Sequence, residues 1–409
     1  MGEHTPIVID RTGEDIHAEA ARIRAEGQVA RIELPGGTAA WSIAGYEAGV
    51  QALSDQRFSK DPRKHWPAYA NGEIGDDFPF IGWILMENLT TSHGRDHSRL
   101  RKLTASAFTP RRVDAMRSSV EKTATGLLDE LALRGSAGAV DLRAGFTHPL
   151  PARVICELFG VPEESRDAML RGGEVNADTT ISPEESAANF LEWDRLMREF
   201  AESKRREPGD DLTSDLLRAR EDGSRLTEGE LLGTLHLLLA TGTTPAMNLI
   251  TNAVAALLAH PGQHELVRTG RATWRDVIEE TLRYDAPVAH LPFRFTVEDV
   301  DIAGVTIPRG SPVLMAFAAI GRDPAIHGES AGTFELNRED KRHLSFGHGI
   351  YRCIGRPLAL LEAEVALSML FERFPDLSLA VPPGELRPEA TFIMNGKQEL
   401  PVLLGGPRK

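Results

Sequence analysis

A lone cysteine lies between glycines in the stretch FGHGIYRCIG, residues 346–355, directly ahead of a helical pattern. Gly347 allows a tight backbone turn, and Gly355 allows the backbone to come close to a flat partner. The helix predicted over residues 356–372 begins behind Cys353, which favours a lowered thiol pKa and a thiolate, the form that binds metals. The loop suits one soft ligand beneath a planar cofactor, and haem with a cysteine axial ligand is the candidate. The alternative is a small hydrophobic cysteine in a turn.

The same stretch resembles the haem-binding signature of the cytochrome P-450 family, Phe-Gly-x-Gly-x-x-x-Cys-x-Gly. The resemblance implies that residues 1–409 form one domain. This would be the triangular haem-thiolate monooxygenase fold, mainly α with small β-sheets and a long central helix over the haem. It also implies haem b as the cofactor, with Cys353 as the iron ligand. Further matches follow in the family's order between residues 97 and 355.

The charge and cysteine content exclude several classes of protein. A net charge of −14 argues against nonspecific binding of nucleic acid, which requires a basic face. Cys156 and Cys353 give no disulfide framework and suit a reducing compartment. No apolar run reaches the ~18 residues of a membrane span, and the polar N-terminus lacks the features of a signal peptide. We therefore expect a cytoplasmic protein without a membrane partner, like the soluble bacterial members of the family from secondary metabolism.

A pair of basic side chains, His97 and Arg101, is spaced four residues apart and shares one helix face. Such a pair can hold a carboxylate, although a solvated helix face is the alternative. The resemblance implies that both contact a haem propionate and that Arg294 is a third contact. Tyr351 stands where the family usually has histidine; a phenol can donate to a propionate but carries no positive charge. The residues expected to bind the cofactor are His97, Arg101, Gly242, Arg294, Phe346, Gly347, Tyr351, Cys353 and Gly355.

A capping box at Thr227 and Glu230 starts a helical pattern that runs to His260 and stops at Pro261. At 1.5 Å per residue this predicts a helix of about 45–50 Å. Its N-terminal half is apolar all round, which predicts a central, buried helix.

The middle of this helix departs from the family pattern, which is usually Ala-Gly-x-Glu/Asp-Thr-Thr. With Gly242 aligned, Thr241 replaces the alanine, Thr244 the acid and Pro245 the catalytic threonine. The acid–alcohol pair that relays protons in the family is therefore missing. Pro245 lacks an N–H and clashes with the Thr241 carbonyl, so the helix is expected to bend or open. The freed carbonyl and the hydroxyls of residues 241, 243 and 244 would hold an ordered water; alternatively, Thr244 replaces the alcohol one position early.

Glu280 and Arg283 lie three residues apart on the next predicted helix. Such a pair can bind a third partner as well as each other. In isolation it would be an exposed ion pair. The resemblance to the family's Glu-x-x-Arg implies a structural ion cluster instead.

Residues 58–92 form a long irregular stretch rich in aromatic side chains. A loop of this length is usually functional or mobile, and a loosely packed surface loop is the alternative. By resemblance it would roof the substrate pocket. The aromatic residues expected to face a flat ligand are Trp66, Tyr69, Phe80, Trp83 and Phe293. The residues expected to contact the substrate are Trp83, Ile84, Leu239, Pro245, Ala289, Phe293 and Ile393.

The missing acid–alcohol pair shifts the expected reaction within the family. We expect oxidative coupling or ring closure, forming C–N or C–C bonds on an aromatic or indole peptide-derived secondary metabolite, because radical recombination needs no oxygen insertion. Cys353, Thr244 and Thr241 would be the catalytic residues. Alternatives are hydroxylation or epoxidation of a macrolide or terpenoid, a peroxide-driven reaction, and a haem-based binding or sensing protein without turnover. Against the peroxide-driven reaction, Thr244 stands where such enzymes carry a carboxylate-binding arginine.

Electrons must come from another protein, because the sequence carries no flavin or iron–sulfur motif. A local basic patch in an acidic protein suits an acidic ferredoxin, supplied by a ferredoxin reductase. The patch comprises Arg101, Lys102, Arg111, Arg112, Arg342, Arg352 and Arg356. The alternative is solvated charge and propionate pairing.

Overall fold

The computed structural model describes residues 6–75, 78, 80–105, 108–135, 138–219, 223 and 225–405. Within these residues the fold is mainly helical with small sheets, which confirms the predicted class. Both ends of the predicted domain, and residues 76, 77 and 79 of the predicted roof, lie outside the described residues.

The α-helices account for most of the described chain. They are α1 (Ile16–Ala25), α2 (Tyr46–Ser54), α3 (Pro62–His65), α4 (Pro67–Ala70), α5 (Ile81–Leu85), α6 (Gly94–Ala105), α7 (Pro110–Gly135), α8 (Pro149–Phe159), α9 (Glu163–Ala177), α10 (Pro183–Arg206), α11 (Leu212–Arg218), α12 (Glu228–Thr241), α13 (Thr244–Ala259), α14 (Pro261–Arg268), α15 (Trp274–Tyr284), α16 (Phe317–Ile320), α17 (Pro324–His327) and α18 (Arg356–Arg373). A π-helix spans Arg143–Thr147, and 3-10 turns span Glu329–Gly332, Gly349–Tyr351 and Pro383–Glu385.

The strands are short and form three small sheets. They are β1 (Ile7–Val8), β2 (Val29–Leu34), β3 (Thr38–Ile43), β4 (Phe58–Ser59), β5 (Val140–Asp141), β6 (His290–Thr296), β7 (Val300–Ile302), β8 (Val305–Ile307), β9 (Pro312–Ala316), β10 (Ser378–Leu379) and β11 (Pro401–Leu403). The largest sheet has the order β1-β2-β3-β9-β6-β4, and the others are β10-β11-β5 and the pair β7-β8. Strand β6 is buried along almost its whole length, so this sheet is covered where it meets the helices.

The predicted central helix is two helices, α12 and α13, separated at Gly242 and Thr243. Thr227 and Glu230 form the predicted capping box at the start of α12. The last backbone hydrogen bond of α12 runs from the Gly242 N–H to the Leu238 carbonyl at 2.9 Å. Pro245 lies in the first turn of α13, where a missing N–H costs nothing. The opening predicted at this proline is confirmed.

Helix α13 is the centre of the hydrophobic core, because every residue from 246 to 257 is buried. It packs against α15 and α18, and α18 also packs along α7. This packing fixes the N-terminus of α18, and with it the glycine-flanked cysteine loop that precedes the helix. Among the described helices, none combines the length and the apolar character that crossing a bilayer requires.

Candidate active site

A cavity of about 320 Å³ extends from the cysteine loop to α5, α9 and α10. That volume lies at the lower end of the range for small-molecule sites. Its wall is formed by side chains from α12, α13 and α18, from strand β6 and from the loop ahead of α18. The predicted cysteine loop, the central helix and two of the predicted basic residues, Arg101 and Arg294, therefore contribute to one cavity, whereas His97 lies outside its lining.

The cysteine loop is a closed turn whose thiol is accessible from this cavity. Gly347 and Gly349 have φ values of +68° and +64°, the left-handed region that favours glycine. A Cβ on Gly349 would lie 2.6 Å from the Leu53 carbonyl oxygen, so the loop can lie against α2 only with glycine there. The Cys353 N–H donates to the Phe346 carbonyl at 2.8 Å and closes the turn.

The thiol of Cys353 differs from the sequence expectation in its acidity. Burial raises its pKa, while the backbone N–H groups of Gly355 and Arg356 act in the opposite direction. The lowering expected from the helix N-terminus is present, but desolvation of the thiolate outweighs it, so the net shift of the thiol pKa is upward. A bound metal ion would supply the charge that holds this group as a thiolate.

Three basic side chains converge beside the loop: His97 and Arg101 from α6, and Arg294 from β6. Each has a buried nitrogen with no hydrogen-bond partner in the described chain: His97 Nε2, Arg101 Nη1 and Arg294 Nε. Burial lowers the pKa of Arg294 to about 10, and burial with the Arg101 charge lowers the pKa of His97 to about 4. His97 is therefore neutral at physiological pH, whereas Arg101 and Arg294 stay cationic. Cations whose buried nitrogens lack partners are costly, so the arrangement requires anions. The carboxylates of haem fit it.

Lys60 is a fourth basic group at this end of the cavity, and sequence analysis missed it. Its side chain directly follows β4 and is only 7% exposed. Burial, and then the Arg294 charge, lowers its pKa to about 7. No carboxylate of the described residues forms an ion pair with it. The sequence gives no signal for it, since a single lysine after a short strand normally extends into solvent.

Tyr351 lies at the predicted place, but its hydroxyl donates a hydrogen bond to the protein backbone. Its hydroxyl donates to the Ser92 carbonyl at 2.9 Å and lies 3.1 Å from His93 Nδ1. Its ring lies under the Arg294 guanidinium at 5.0 Å. The expected donation to a propionate is therefore corrected, because the only phenolic proton is already bound to a backbone carbonyl. The ring positions the arginine instead.

The opening between α12 and α13 brings Thr241, Gly242, Thr244 and Pro245 to the cavity wall. The Thr241 hydroxyl donates to the Leu237 carbonyl at 2.7 Å, so this proton is not available to a ligand. The Thr244 hydroxyl makes no hydrogen bond within the described chain, and it faces the cavity. Thr244 is therefore the hydroxyl at this opening that is available to a ligand or a water.

Gly242 is constrained by close packing as well as by the cavity. A Cβ there would lie 2.7 Å from the Leu238 carbonyl oxygen and 2.7 Å from Ile155 Cδ1. Helix α8 therefore approaches the opening as closely as a glycine permits.

The predicted substrate residues divide into two groups. Trp83, Ile84, Pro245, Phe293 and Ile393 line the cavity. The expectation for Leu239 and Ala289 is corrected, because both are fully buried away from the lining. Leu239 faces the helical core, since one residue along a helix turns the side chain by about 100°.

Most of the predicted aromatic roof belongs to a packed core behind the cavity. Trp66 stacks on Phe295 at 5.3 Å, and Phe80 packs edge-on against Phe392 at 5.6 Å. Tyr69 stacks on Trp66 at 6.3 Å, outside the cavity lining. Of the expected aromatic contacts, Trp83 and Phe293 remain at the cavity, because the others bury their faces on one another.

Glu362, on α18, is another cavity residue that sequence analysis missed. Its side chain is 1% exposed, and Oε1 has no hydrogen-bond partner in the described chain. Burial raises its pKa to about 8, so this carboxyl keeps its proton at neutral pH.

The predicted basic patch carries less free charge than its sequence indicates. Arg342 pairs with Asp340 at 2.7 Å and Arg112 with Asp215 at 2.7 Å. Arg356 lies 3.7 Å from Glu279. Arg101 turns towards the cavity, and its Nη2 donates to the Arg352 carbonyl at 2.8 Å. Arg111 and Arg352 remain exposed.

Comparison with known proteins gives several full-length matches. The sequence model described as Cytochrome P450 matches residues 273–394. The 2-hydroxy-5-methyl-1-naphthoate 7-hydroxylase of Streptomyces carzinostaticus is 48% identical over 401 residues, covering 98% of each protein. The structure of CYP154A1 from Streptomyces coelicolor A3(2) is 44% identical with a TM-score of 0.93, covering 97% of this chain and 100% of that one. CxnD, described as a cytochrome P450 enzyme for C–S bond formation in chuangxinmycin biosynthesis, is 33% identical with a TM-score of 0.89, covering 100% of this chain and 99% of that one.

Proposed function

Because the chain belongs to the cytochrome P450 family, as a monooxygenase of bacterial secondary metabolism, we propose that it hydroxylates a flat aromatic small molecule. The observation that carries this proposal is the naphthoate hydroxylase that is 48% identical over nearly the full length of both proteins. The cavity supports it, since Trp83, Phe293 and Ile393 give the wall apolar and aromatic surface.

Residues from three segments would hold the cofactor. Cys353 would supply the thiolate that binds the iron. Arg101 and Arg294 would neutralise the carboxylates, with His97 beside them as an uncharged hydrogen-bonding group. When bound, haem supplies the activation of dioxygen and the oxidation of the substrate. The role of the chain is to bind and orient the substrate, to exclude bulk water and to deliver protons.

Proton delivery is assigned to the opening between α12 and α13. Thr244 lines the cavity and its hydroxyl has no partner among the described residues, so it can donate to a ligand or a water. The Thr241 hydroxyl donates to Leu237 and retains only acceptor capacity. Thr244 is therefore the donor at this site, one position before the proline.

Electrons would come from a ferredoxin reduced by a ferredoxin reductase. The predicted basic patch near Cys353 includes the exposed Arg111 and Arg352, whereas the protein as a whole is acidic. A local positive face attracts an acidic partner and increases its association rate at low salt.

Oxidative coupling or ring closure on an aromatic or indole peptide-derived substrate is the second candidate. Two observations favour it: Thr244 and Pro245 replace the acid–alcohol pair, and the neighbour CxnD is described as forming a C–S bond. Coupling removes two hydrogens from the substrate and adds no oxygen, so the mass of its product distinguishes it from hydroxylation.

The two candidates are separated by binding and product mass. The ferric holoprotein is titrated with hydroxynaphthoates, indole dipeptides and a macrolide, and the Soret band is followed for displacement of the axial water. Ligands that shift the band are then turned over with ferredoxin, its reductase and reduced nicotinamide. We expect the naphthoates to shift the band and the product to gain one oxygen. A shift with indole dipeptides alone, with a product that has lost two hydrogens, would establish coupling. A shift with the macrolide alone would overturn the aromatic substrate, and binding without any product would indicate a binding or sensing protein.

Thr244→Val is expected to uncouple the reaction. Valine keeps the shape and removes the hydroxyl that faces the cavity. Product formed per reduced nicotinamide consumed should fall by about fivefold, the factor for a hydrogen bond of ~1 kcal/mol, with a matching rise in peroxide. Thr243→Val is the control, because the Thr243 hydroxyl is buried and donates to the Leu239 carbonyl at 3.3 Å. Unchanged coupling in Thr244→Val would remove Thr244 from proton delivery.

A further inference from the structure

His236 is a buried polar residue on α12 that faces the cavity and has no assigned role. Its side chain is 2% exposed, and Nε2 has no hydrogen-bond partner in the described chain. It lies five residues before Thr241, about 7–8 Å along the helix axis. It therefore belongs to a part of the wall distant from the opening at Pro245.

Two aromatic residues of α10 hold the imidazole in place. The Trp193 ring meets it edge-on at 4.4 Å, and the Phe190 ring stacks on it at 5.9 Å. Trp193 is itself fixed by donating its indole N–H to the Met169 carbonyl at 2.8 Å. Gly172 allows this packing, because a Cβ there would lie 2.3 Å from the indole. The position of His236 Nε2 is therefore set before a ligand arrives.

The tautomer of His236 follows from its neighbours. The backbone carbonyls of Trp193 and Leu232 lie near enough to the ring to raise its pKa, and carbonyls only accept hydrogen bonds. Because Nε2 has no hydrogen-bond partner among the described residues, the ring proton is assigned to Nδ1. Nε2 is left as a bare acceptor.

The ring stays neutral at physiological pH. Burial lowers its pKa to about 4, the Arg198 charge adds to this, and Asp194 opposes it. A neutral imidazole with a free acceptor is complementary to a hydroxyl or N–H donor and offers no charge to a carboxylate.

We propose that His236 Nε2 accepts a hydrogen bond from a hydroxyl or N–H group of the substrate and thereby determines which substrates bind and how they are oriented. This inference rests on the proposed function only in requiring a small-molecule substrate. A buried acceptor that only a donor can satisfy discriminates against ligands that lack it, because it is left unpaired on binding them. Trp83 and Asn176 continue the same wall, where the Trp83 indole N–H donates to the Asn176 carbonyl at 3.0 Å.

The test uses a hydroxylated ligand and its methyl ether, taken from whichever class shifts the Soret band of the wild-type protein. Failure of the naphthoates to bind would therefore count against the proposed function without deciding this inference. We expect the wild type to bind the hydroxylated ligand at least about fivefold more tightly than the ether. His236→Leu should remove this preference, and His236→Gln, which keeps an acceptor, should restore part of it.

Thr234→Val is the matched control. Thr234 lies on the same helix, and its buried hydroxyl has no partner in the part of the chain that the structure describes, but it is outside the cavity lining. The Thr234→Val variant should prefer the hydroxylated ligand over the ether by the same factor as the wild type. The ferrous carbonyl spectrum of each variant verifies that the cofactor site is intact, and the position of the new oxygen on the product reports orientation.

Three results would overturn the inference. One is a preference that persists in His236→Leu, and another is an equal loss of affinity for both ligands, which would indicate a packing role. The third is an affinity that rises as the pH falls from neutral towards the pKa of His236, since this would mean that a protonated imidazole binds an anion.

Discussion

Cys353→Ala is expected to abolish both thiolate ligation and product formation while leaving the helical fold in place. Cys353 is accessible from the cavity, and the sequence contains one other cysteine, Cys156. Without the thiolate, no sulfur anion remains to bind iron and tune its reactivity. The measurement is the absorption spectrum of the reduced protein under carbon monoxide, together with iron content and product yield.

Cys156→Ala is the matched control for this experiment. Cys156 is fully buried in α8, and burial raises the pKa of its thiol to about 11. Its removal should leave the carbonyl spectrum unchanged and cost about 1 kcal/mol of stability through a small core cavity. A thiolate-type spectrum that survives in Cys353→Ala but disappears in Cys156→Ala would exchange the two assignments.

The start of α12 and the opening of the central helix were predicted correctly from the sequence alone. The capping box at Thr227 and the missing N–H of Pro245 predicted where α12 begins and where the central helix opens. Pro35-Gly36-Gly37, a turn signal in the sequence, joins β2 and β3, which pair in antiparallel register from Val29↔Ile43 to Leu34↔Thr38. These features depend on neighbouring residues, so a single sequence contains the necessary information.

Predictions that depended on which side of an element faces the cavity were less accurate. Leu239 lies on the core side of α12, whereas Leu238 and Ala240 line the cavity. An apolar helix carries no amphipathic signal to distinguish these faces. Trp66 was assigned to the roof, but its ring is buried against Phe295.

Lys60 and His236 show why single polar residues are missed. Within the described residues, Lys60 is recognisable only from its burial without an ion pair, and His236 only from its burial with an unpartnered Nε2; these are properties of the tertiary structure. In the sequence, a lone lysine or histidine is most simply explained by solvent exposure or by a satisfied core position. The candidate roles of Lys60 and His236 therefore follow from the tertiary structure and not from the sequence.

Glu280→Gln is expected to destabilise the protein by about 3–5 kcal/mol, because it removes the countercharge of a fully buried arginine. Arg283 and Glu280 are both 0% exposed and pair at 2.7 and 2.8 Å. The guanidinium also donates to three backbone carbonyls, of Gly321, Ala331 and Thr333, at 2.7–2.9 Å. The measurement is the free energy of unfolding of the holoprotein in denaturant. Glu265→Gln, which breaks the exposed pair with Arg268 on α14, is the control and should cost no more than about 0.5 kcal/mol.

Glu280→Gln should also weaken retention of the cofactor, because the Glu280–Arg283 cluster supports the cysteine loop. Glu280 accepts from the Glu335 N–H at 2.8 Å and lies 3.4 Å from Arg338, which ties α15 to the segment leading into the loop. The Ser345 hydroxyl, immediately before the loop, donates to the Leu282 carbonyl on the same helix. Adding Arg283→Met to Glu280→Gln removes the unpaired cation and should recover part of the lost stability. If Glu280→Gln cost no more than Glu265→Gln, the buried cluster would not be what holds the loop in place.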